Sequence, residues 1–321
     1  MIKRLLLILA AAAGVAAARA ETYPAHTVTV IVPFAAGGPA DIIGRIVADQ
    51  LAKRLNANFV VENINGAGGT VGATRAARAT ADGYTLILGH MGTHAASIAL
   101  YSNLAYDPRT DFAPISLVAE FPEVLVTRKG FPANTLQEFI AYTRANEAKI
   151  NMAHSGVGSV SYVGCLLLDT AIGIHPTLVP FTGSAPATNA MLAEQVDYFC
   201  DPIIGQIAHM RSGTLKALAV AAATRHPLAP DLPTAAEQGL PAWNIAPFFG
   251  LFAPKDTPAP IVAALAAALD QGLDDEAVRK RFTDLGATIA AKDRRGPPPL
   301  GALVRSEVAR LTPILQAAVK K

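Results

Sequence analysis

Four stretches of this sequence are glycine-bearing loops, Pro33–Asp41, Gly89–Ser97, His154–Ser161 and Pro180–Asn189, and the last three also carry hydroxyl side chains. Each stands where a run of strand-forming residues gives way to a helical pattern. In open parallel sheets, ligands bind outside the carboxyl ends of strands. The free N–H groups at a helix start attract anions to that place. Glycine lets the backbone come close to a ligand, and Thr93, Ser155, Ser159, Thr182 and Ser184 add hydroxyl donors. None of the four loops contains lysine or arginine. A carboxylate held there would rest on N–H groups, hydroxyls, helix dipoles and water, which suits reversible capture. Ordinary βα turns share this composition; it is the recurrence of the pattern that points to a site. His90 and His94 read as loop histidines near a pocket. Asp41 either orients a ligand or is a surface charge, and Phe34 and Phe181 are pocket walls or core.

Motifs for bond-making chemistry fail one by one. In Gly66-Ala67-Gly68-Gly69-Thr70-Val71-Gly72 the third glycine of a dinucleotide loop would fall on Val71. Walker A and G-x-S-x-G sequences are absent. His90 and His94 have H-E-x-x-H spacing, but Met91 stands where the glutamate belongs. The expectation is therefore no catalytic residue, no metal, no cofactor and no enzyme.

The elements that must position these loops alternate β and α. Thr27 to Val32 reads as a strand, followed by a helix with Ile42, Ile43, Ile46, Val47, Leu51 and Leu55 on one face. Asp41, Arg45, Asp49 and Lys53 form an i, i+4 ion ladder on the other face. Thr135 and Glu138 make a capping box that opens a helix reaching about Ala148. Strands are expected at Ile150–Ala153, Thr177–Pro180, Val196–Cys200 and Leu215–Val220, and a long one over Trp243–Phe252. Pro297, Pro298 and Pro299 break the chain before a last helix. This repetition predicts an α/β fold with a mainly parallel sheet in each of two lobes. The chain crosses between lobes near Ala119–Glu123 and again near Trp243–Phe249, so residues 21–122 and 245–321 form lobe 1 and 123–244 form lobe 2.

Composition bounds the compartment and the partners. Lys3 and Arg4, the apolar run Leu5–Ala18 and the small residues of Ala18-Arg19-Ala20 read as a signal peptide over residues 1–20. Its removal near Ala20 would leave a periplasmic chain of 301 residues (321 − 20) with 24 basic residues (27 − 3) against 25 acidic ones. Such a chain exceeds what one core usually serves, and it carries no basic run of nucleic-acid type. Cys165 and Cys200 fit no zinc spacing. In an oxidising compartment they either form one disulfide or remain two buried thiols.

Several blocks in order resemble one family. They include Val32-Pro33-Phe34-Ala35-Ala36-Gly37-Gly38-Pro39-Ala40-Asp41, Val61-Glu62-Asn63-Ile64-Asn65-Gly66-Ala67-Gly68-Gly69 and Asp82-Gly83-Tyr84-Thr85-Leu86. Tyr106-Asp107-Pro108, Asp111-Phe112-Ala113-Pro114-Ile115, Ser155-Gly156-Val157-Gly158-Ser159 and Leu232-Pro233-Thr234-Ala235-Ala236-Glu237 continue the series. Over essentially the whole mature chain the sequence resembles the substrate-binding proteins of tripartite tricarboxylate transporters, the Bug receptors. The resemblance implies a two-lobed periplasmic-binding-protein fold (Venus flytrap, type II) that closes over a small carboxylate. It implies a monomer that serves one large and one small membrane subunit. It places Phe34, Gly37, Gly38 and Asp41 in the first-lobe pocket loop, and Ser155, Val157, Gly158 and Ser159 in the second-lobe loop. His90, Gly92 and Thr93, with Asp201, are similar to the subgroup that takes aspartate-like amino acids. Phe181 and Thr182 stand where the family usually has tyrosine and lysine, Asn189 where it has aspartate, and Ala193-Glu194 where it has glycines. A ligand sensor for a membrane signalling partner, or a periplasmic enzyme on the same scaffold, are the alternative readings.

Overall fold

The computed structural model describes residues 23–319; the expected signal peptide lies outside the described residues. The chain forms β1 (Val28–Val32), α1 (Pro39–Leu55), β2 (Phe59–Asn63), α2 (Thr70–Ala77), β3 (Thr85–His90), α3 (Ser97–Leu100), β4 (Phe112–Glu120), β5 (Glu123–Arg128), α4 (Leu136–Ala145), β6 (Asn151–His154) and α5 (Val160–Ile172). It continues through β7 (Thr177–Pro180), α6 (Ser184–Leu192), β8 (Tyr198–Pro202), α7 (Ile203–Ser212), β9 (Leu215–Val220), β10 (Phe248–Pro254), α8 (Ala259–Asp274), α9 (Glu276–Asp284), β11 (Thr288–Ile289) and α10 (Pro297–Val319). The first sheet has the order β11-β4-β10-β3-β1-β2 and the second β7-β6-β8-β5-β9.

The expected two-lobed α/β architecture is present, and both sheets are mixed. Parallel pairing joins β1 to β2 and β3, and β6 to β7 and β8. The strands that carry the chain between sheets run against their neighbours: β10 is antiparallel to β3 and β4, and β5 to β8 and β9. Only Phe121 and Pro122 separate β4 from β5, so the chain passes straight from one sheet into the other instead of returning through a helix. The reverse passage follows Ile245, whose carbonyl accepts from Glu123 N–H, and Pro247, whose carbonyl accepts from Phe121 N–H. The two passages are thus hydrogen-bonded side by side.

Packing follows the side-chain periods. Val28, Val30 and Val32 point to the face covered by α1, α8 and α9, while Ile31 joins the opposite core, as the two-residue strand period demands. That opposite core is continuous between lobes, joining Leu300, Val304, Val308, Leu311 and Leu315 of α10 to Phe139 and Leu168 of the second lobe. Thr135 accepts from Glu138 N–H at 3.1 Å and caps α4 as expected, although α4 ends at Ala145 rather than near Ala148. Pro297–Pro299 do not break the chain before the last helix but form its first turn, where the missing N–H groups need no intrahelical partner. Cys165 on α5 and Cys200 on β8 are joined by a disulfide, their Cα atoms 5.2 Å apart.

Candidate functional site

Three helices begin at one place between the lobes. α1 starts after Gly38 and α6 after Gly183, neither with a side-chain cap, and Ser159 caps α5 by accepting from Tyr162 N–H at 3.2 Å. The first N–H groups of each helix lack intrahelical partners, and aligned dipoles make such ends attractive to anions. Between them lies a cavity lined by Phe34, Gly38, Pro39, Ala40, His90, Ser155, Ser159, Val160, Ser184 and Phe249. Its walls carry no lysine, arginine, aspartate or glutamate. Its free volume is only ≈ 20 Å³, room for about one water molecule, so the lobes stand closed around it.

Direct contacts across the cleft agree with closure. Ala35 N–H donates to Thr182 O at 3.2 Å. The Tyr101 hydroxyl lies 2.8 Å from Ala67 O and 2.7 Å from Val157 O, bridging the lobes. A Cβ added to Gly68 would lie 1.7 Å from Val157 O, so only glycine allows this approach.

His90 is the one aromatic donor in the wall whose state the geometry determines. Its Nδ1 accepts from the N–H groups of Gly92 at 2.9 Å and Thr93 at 3.2 Å. The ring hydrogen is therefore on Nε2, which is buried without a protein partner. Burial pushes the His90 pKa down to about 3, so the imidazole is neutral and offers one N–H. It is wedged between Phe34, at 4.9 Å between ring centroids, and Phe249, at 5.5 Å. His94 instead stacks on Phe252 in the lobe core, with Nδ1 2.9 Å from the Thr93 hydroxyl. The two histidines therefore do not form a pair at the cavity.

The second lobe brings hydroxyls. Ser155 Oγ lies 3.3 Å from Ser184 Oγ, which donates to Asp201 Oδ1 at 2.7 Å. Gln206 Nε2 donates to Asp201 Oδ2 at 2.9 Å and to Thr188 Oγ1 at 3.0 Å. Burial, against the hydrogen bonds from Gln206 and Ser184, raises the Asp201 pKa to about 7.

Of the residues singled out in the sequence, Phe34, Gly38, His90, Ser155 and Ser159 line this cavity. Gly37 lines a polar chamber beside it with Ser184, Thr188, Asn189 and His209. Val157, Phe181 and Thr182 face a wider opening of ≈ 350 Å³ next to Tyr101, which Ser155 also borders. Asp201 stands behind Ser184. Thr93 and Gly92 lie inside the His90 loop, the Thr93 hydroxyl being held by His90 N–H at 3.2 Å and by His94. Gly158 packs its backbone against Gly92. Asp41 turns back into its own loop, taking hydrogen bonds from Gly37 N–H, Arg45 and Asn63 at 3.0 Å each. Burial pushes its pKa up, but these bonds outweigh burial and hold it below the usual carboxylate value. Pro39, Ala40, Val160 and Phe249 were missed as wall residues, and Ser184 was seen only as one hydroxyl among several. The uncapped start of α6 was the available signal for Ser184; Phe249 had none, because only the order β4-β10-β3 brings it beside His90. Among the described residues there is no cluster of metal-ligating side chains.

Comparison with known proteins agrees with this architecture. Residues 43–319 match the model of the tripartite tricarboxylate transporter family receptor. The chain belongs to that family. MatC from Rhodopseudomonas palustris, solved with bound malate, is 47% identical, with a TM-score of 0.89 over 91% of this chain and 100% of that one. Another R. palustris protein, solved with adipate, is 31% identical, with a TM-score of 0.88 over 92% of this chain and 98% of that one. BugT of Bordetella pertussis is 34% identical over 291 residues, 89% of each chain. As a family receptor with this fold, the chain is a TctC/Bug solute-binding protein.

Proposed function

We propose that this receptor captures a small dicarboxylate at the cavity between its lobes and delivers it in the periplasm to the large and small membrane subunits of a tripartite transporter. The observation that carries the reading is the unpartnered Nε2–H of buried His90 at the meeting of three helix starts. A carboxylate admitted there as the lobes part would satisfy an otherwise costly buried donor and meet the positive ends of helix dipoles. The malate and adipate of the two R. palustris relatives support this ligand class. We take residues 1–20 as the export signal, residues 21–122 with 245–321 as one lobe, 123–244 as the other, and the working unit as a monomer. The Ser155 and Ser184 hydroxyls face each other and Asp201 rather than a basic imidazole, which favours binding over turnover.

A thermal-shift panel on protein refolded to remove carried-over ligand tests this reading. A ligand that binds only the native state raises its melting temperature. Malate, succinate or adipate should raise Tm selectively over citrate and aromatic carboxylates. Aspartate and glutamate in the same panel decide the aspartate-like reading. No shift from any carboxylate would sink the proposal.

A further inference from the structure

We propose that Asp201 is a positioning residue that couples capture of an anion to uptake of one proton from solvent, the proton adding to Oδ1 and reversing the Ser184 and Ser155 hydroxyls. The inference rests on the carboxylate-receptor reading above and assigns a role to a buried carboxyl that this reading leaves unused.

The direction of the hydroxyl chain carries the argument. Gln206 Nε2–H holds Asp201 Oδ2 at 2.9 Å, so Oδ2 is an acceptor and an added proton belongs on Oδ1, which faces Ser184 at 2.7 Å. With Asp201 ionised, Ser184 must donate to Oδ1, and Ser155, 3.3 Å away, can donate to Ser184 Oγ. The Ser184 hydrogen then points away from the cavity, as does that of Ser155 when it donates to Ser184 Oγ, and a captured carboxylate would meet oxygen lone pairs. With Oδ1 protonated, Asp201 donates to Ser184 Oγ. The Ser184 hydrogen is released toward Ser155 or the ligand, and Ser155 in turn donates to the ligand. One proton thus turns the second-lobe wall from acceptors into donors while Gln206 and Thr188 stay as they are. Each bond made to an ionised acceptor is among the stronger ones.

The neighbours of Asp201 leave it as the group able to respond. Glu123 on β5 is fully buried, and burial with the Asp201 charge pushes its pKa well up. His154 on β6 is held down by burial and is neutral above its ordinary value. His90 across the cavity, with its pKa near 3, is neutral too, and Asp41 on α1 is ionised beside Arg45. α6 carries no titratable side chain, and α7 contributes His209 and Arg211 beyond Gly205 and Gln206. Asp201 itself, raised to about 7 by burial, is ionised above neutrality and has room to take up a proton when an anion arrives.

The test is calorimetric titration of the refolded full-length receptor with L-malate in buffers of differing ionisation enthalpy, at about pH 6.5 and about pH 8.5, where malate is fully ionised. The wild type should take up close to one proton per malate at the higher pH and markedly less at the lower, with affinity falling up to about tenfold per pH unit above neutrality. Asp201→Asn places an amide N–H against Ser184 permanently; it should bind malate with a flat pH profile and no proton uptake. His209→Gln is the control and should retain the uptake. Malate binding without proton uptake in the wild type, or unchanged uptake in Asp201→Asn, overturns the relay alone. Loss of uptake in His209→Gln also overturns it. If malate does not bind, the titration is run with the carboxylate that raises Tm, and absence of binding by every carboxylate at both pH values overturns the dicarboxylate reading and the relay with it.

Discussion

At the scale of single residues, the cavity is defined by donors whose alternatives the fold has removed. His90 cannot turn its Nδ1 outward, because Gly92 and Thr93 N–H groups occupy it, so Nε2–H is the face left for a ligand. His90→Phe keeps an aromatic ring against Phe34 and Phe249 but loses that donor. A hydrogen bond to a charged group contributes about 1.5–3 kcal/mol, so the malate dissociation constant should rise about 10–100-fold, while Tm without ligand should fall because the Gly92 and Thr93 N–H groups lose their Nδ1 acceptor. Titration calorimetry reads the first and thermal unfolding the second; unchanged affinity would remove His90 from the site. Thr93, by contrast, has its hydroxyl held within the His90 loop by His90 N–H and His94. Residue type and loop position, on which the expectation of Thr93 as a donor rests, do not tell where a hydroxyl points.

At the scale of elements, closure depends on loops from the two lobes touching backbone to backbone. Gly68 faces Val157 O, and its φ of 62° lies in the left-handed region that side chains disfavour. Gly68→Ala should therefore cost about 1 kcal/mol of stability from backbone strain and weaken malate binding by about tenfold or more. Small-angle scattering at saturating malate should show a larger radius of gyration than wild type. Equal dimensions and affinity would mean the lobes close without this contact. The disulfide belongs to the same scale: it ties α5 to β8 beside Asp201 across a sequence separation of 35. The loop-entropy model assigns such a link about 4 kcal/mol, so a Cys165→Ser, Cys200→Ser double variant should lose about that much in denaturant unfolding. A loss below about 1 kcal/mol would show that the link adds little to the fold.

The molecule as a whole carries acidic groups sealed in its second lobe. Asp169, which accepts from the Tyr198 hydroxyl at 2.5 Å, is raised by burial to about 8, and Asp201 to about 7. A carboxyl with a raised folded-state pKa binds more protons folded than unfolded, so its contribution to stability is lost as pH rises toward the folded value. The buried histidines act oppositely: with pKa values lowered by burial, they reduce stability only below their ordinary value near 6.5. Between about pH 6.5 and 8 the acids alone set the slope, so Tm should fall as pH rises through that window. Asp169→Asn should flatten the fall; a slope as steep as wild type would show that Asp169 is not its source.

Much was legible in the order of residues alone: the α/β repetition, the two-lobed fold, the loops that meet at the cavity, and blocks enough to identify the family. These are local patterns, set by the strand and helix periods and by glycine at strand ends. β4 and β5 were not read as strands: Pro114 interrupts the first, and both are held by pairing with strands distant in sequence. The mixed direction of the sheets, the wall position of Phe249 and the Ser155–Ser184–Asp201 chain were decided only by tertiary structure. Each depends on which strands lie side by side and which way a buried side chain turns. Residue type states what a group can donate or accept; only packing decides which of its partners remain free for a ligand.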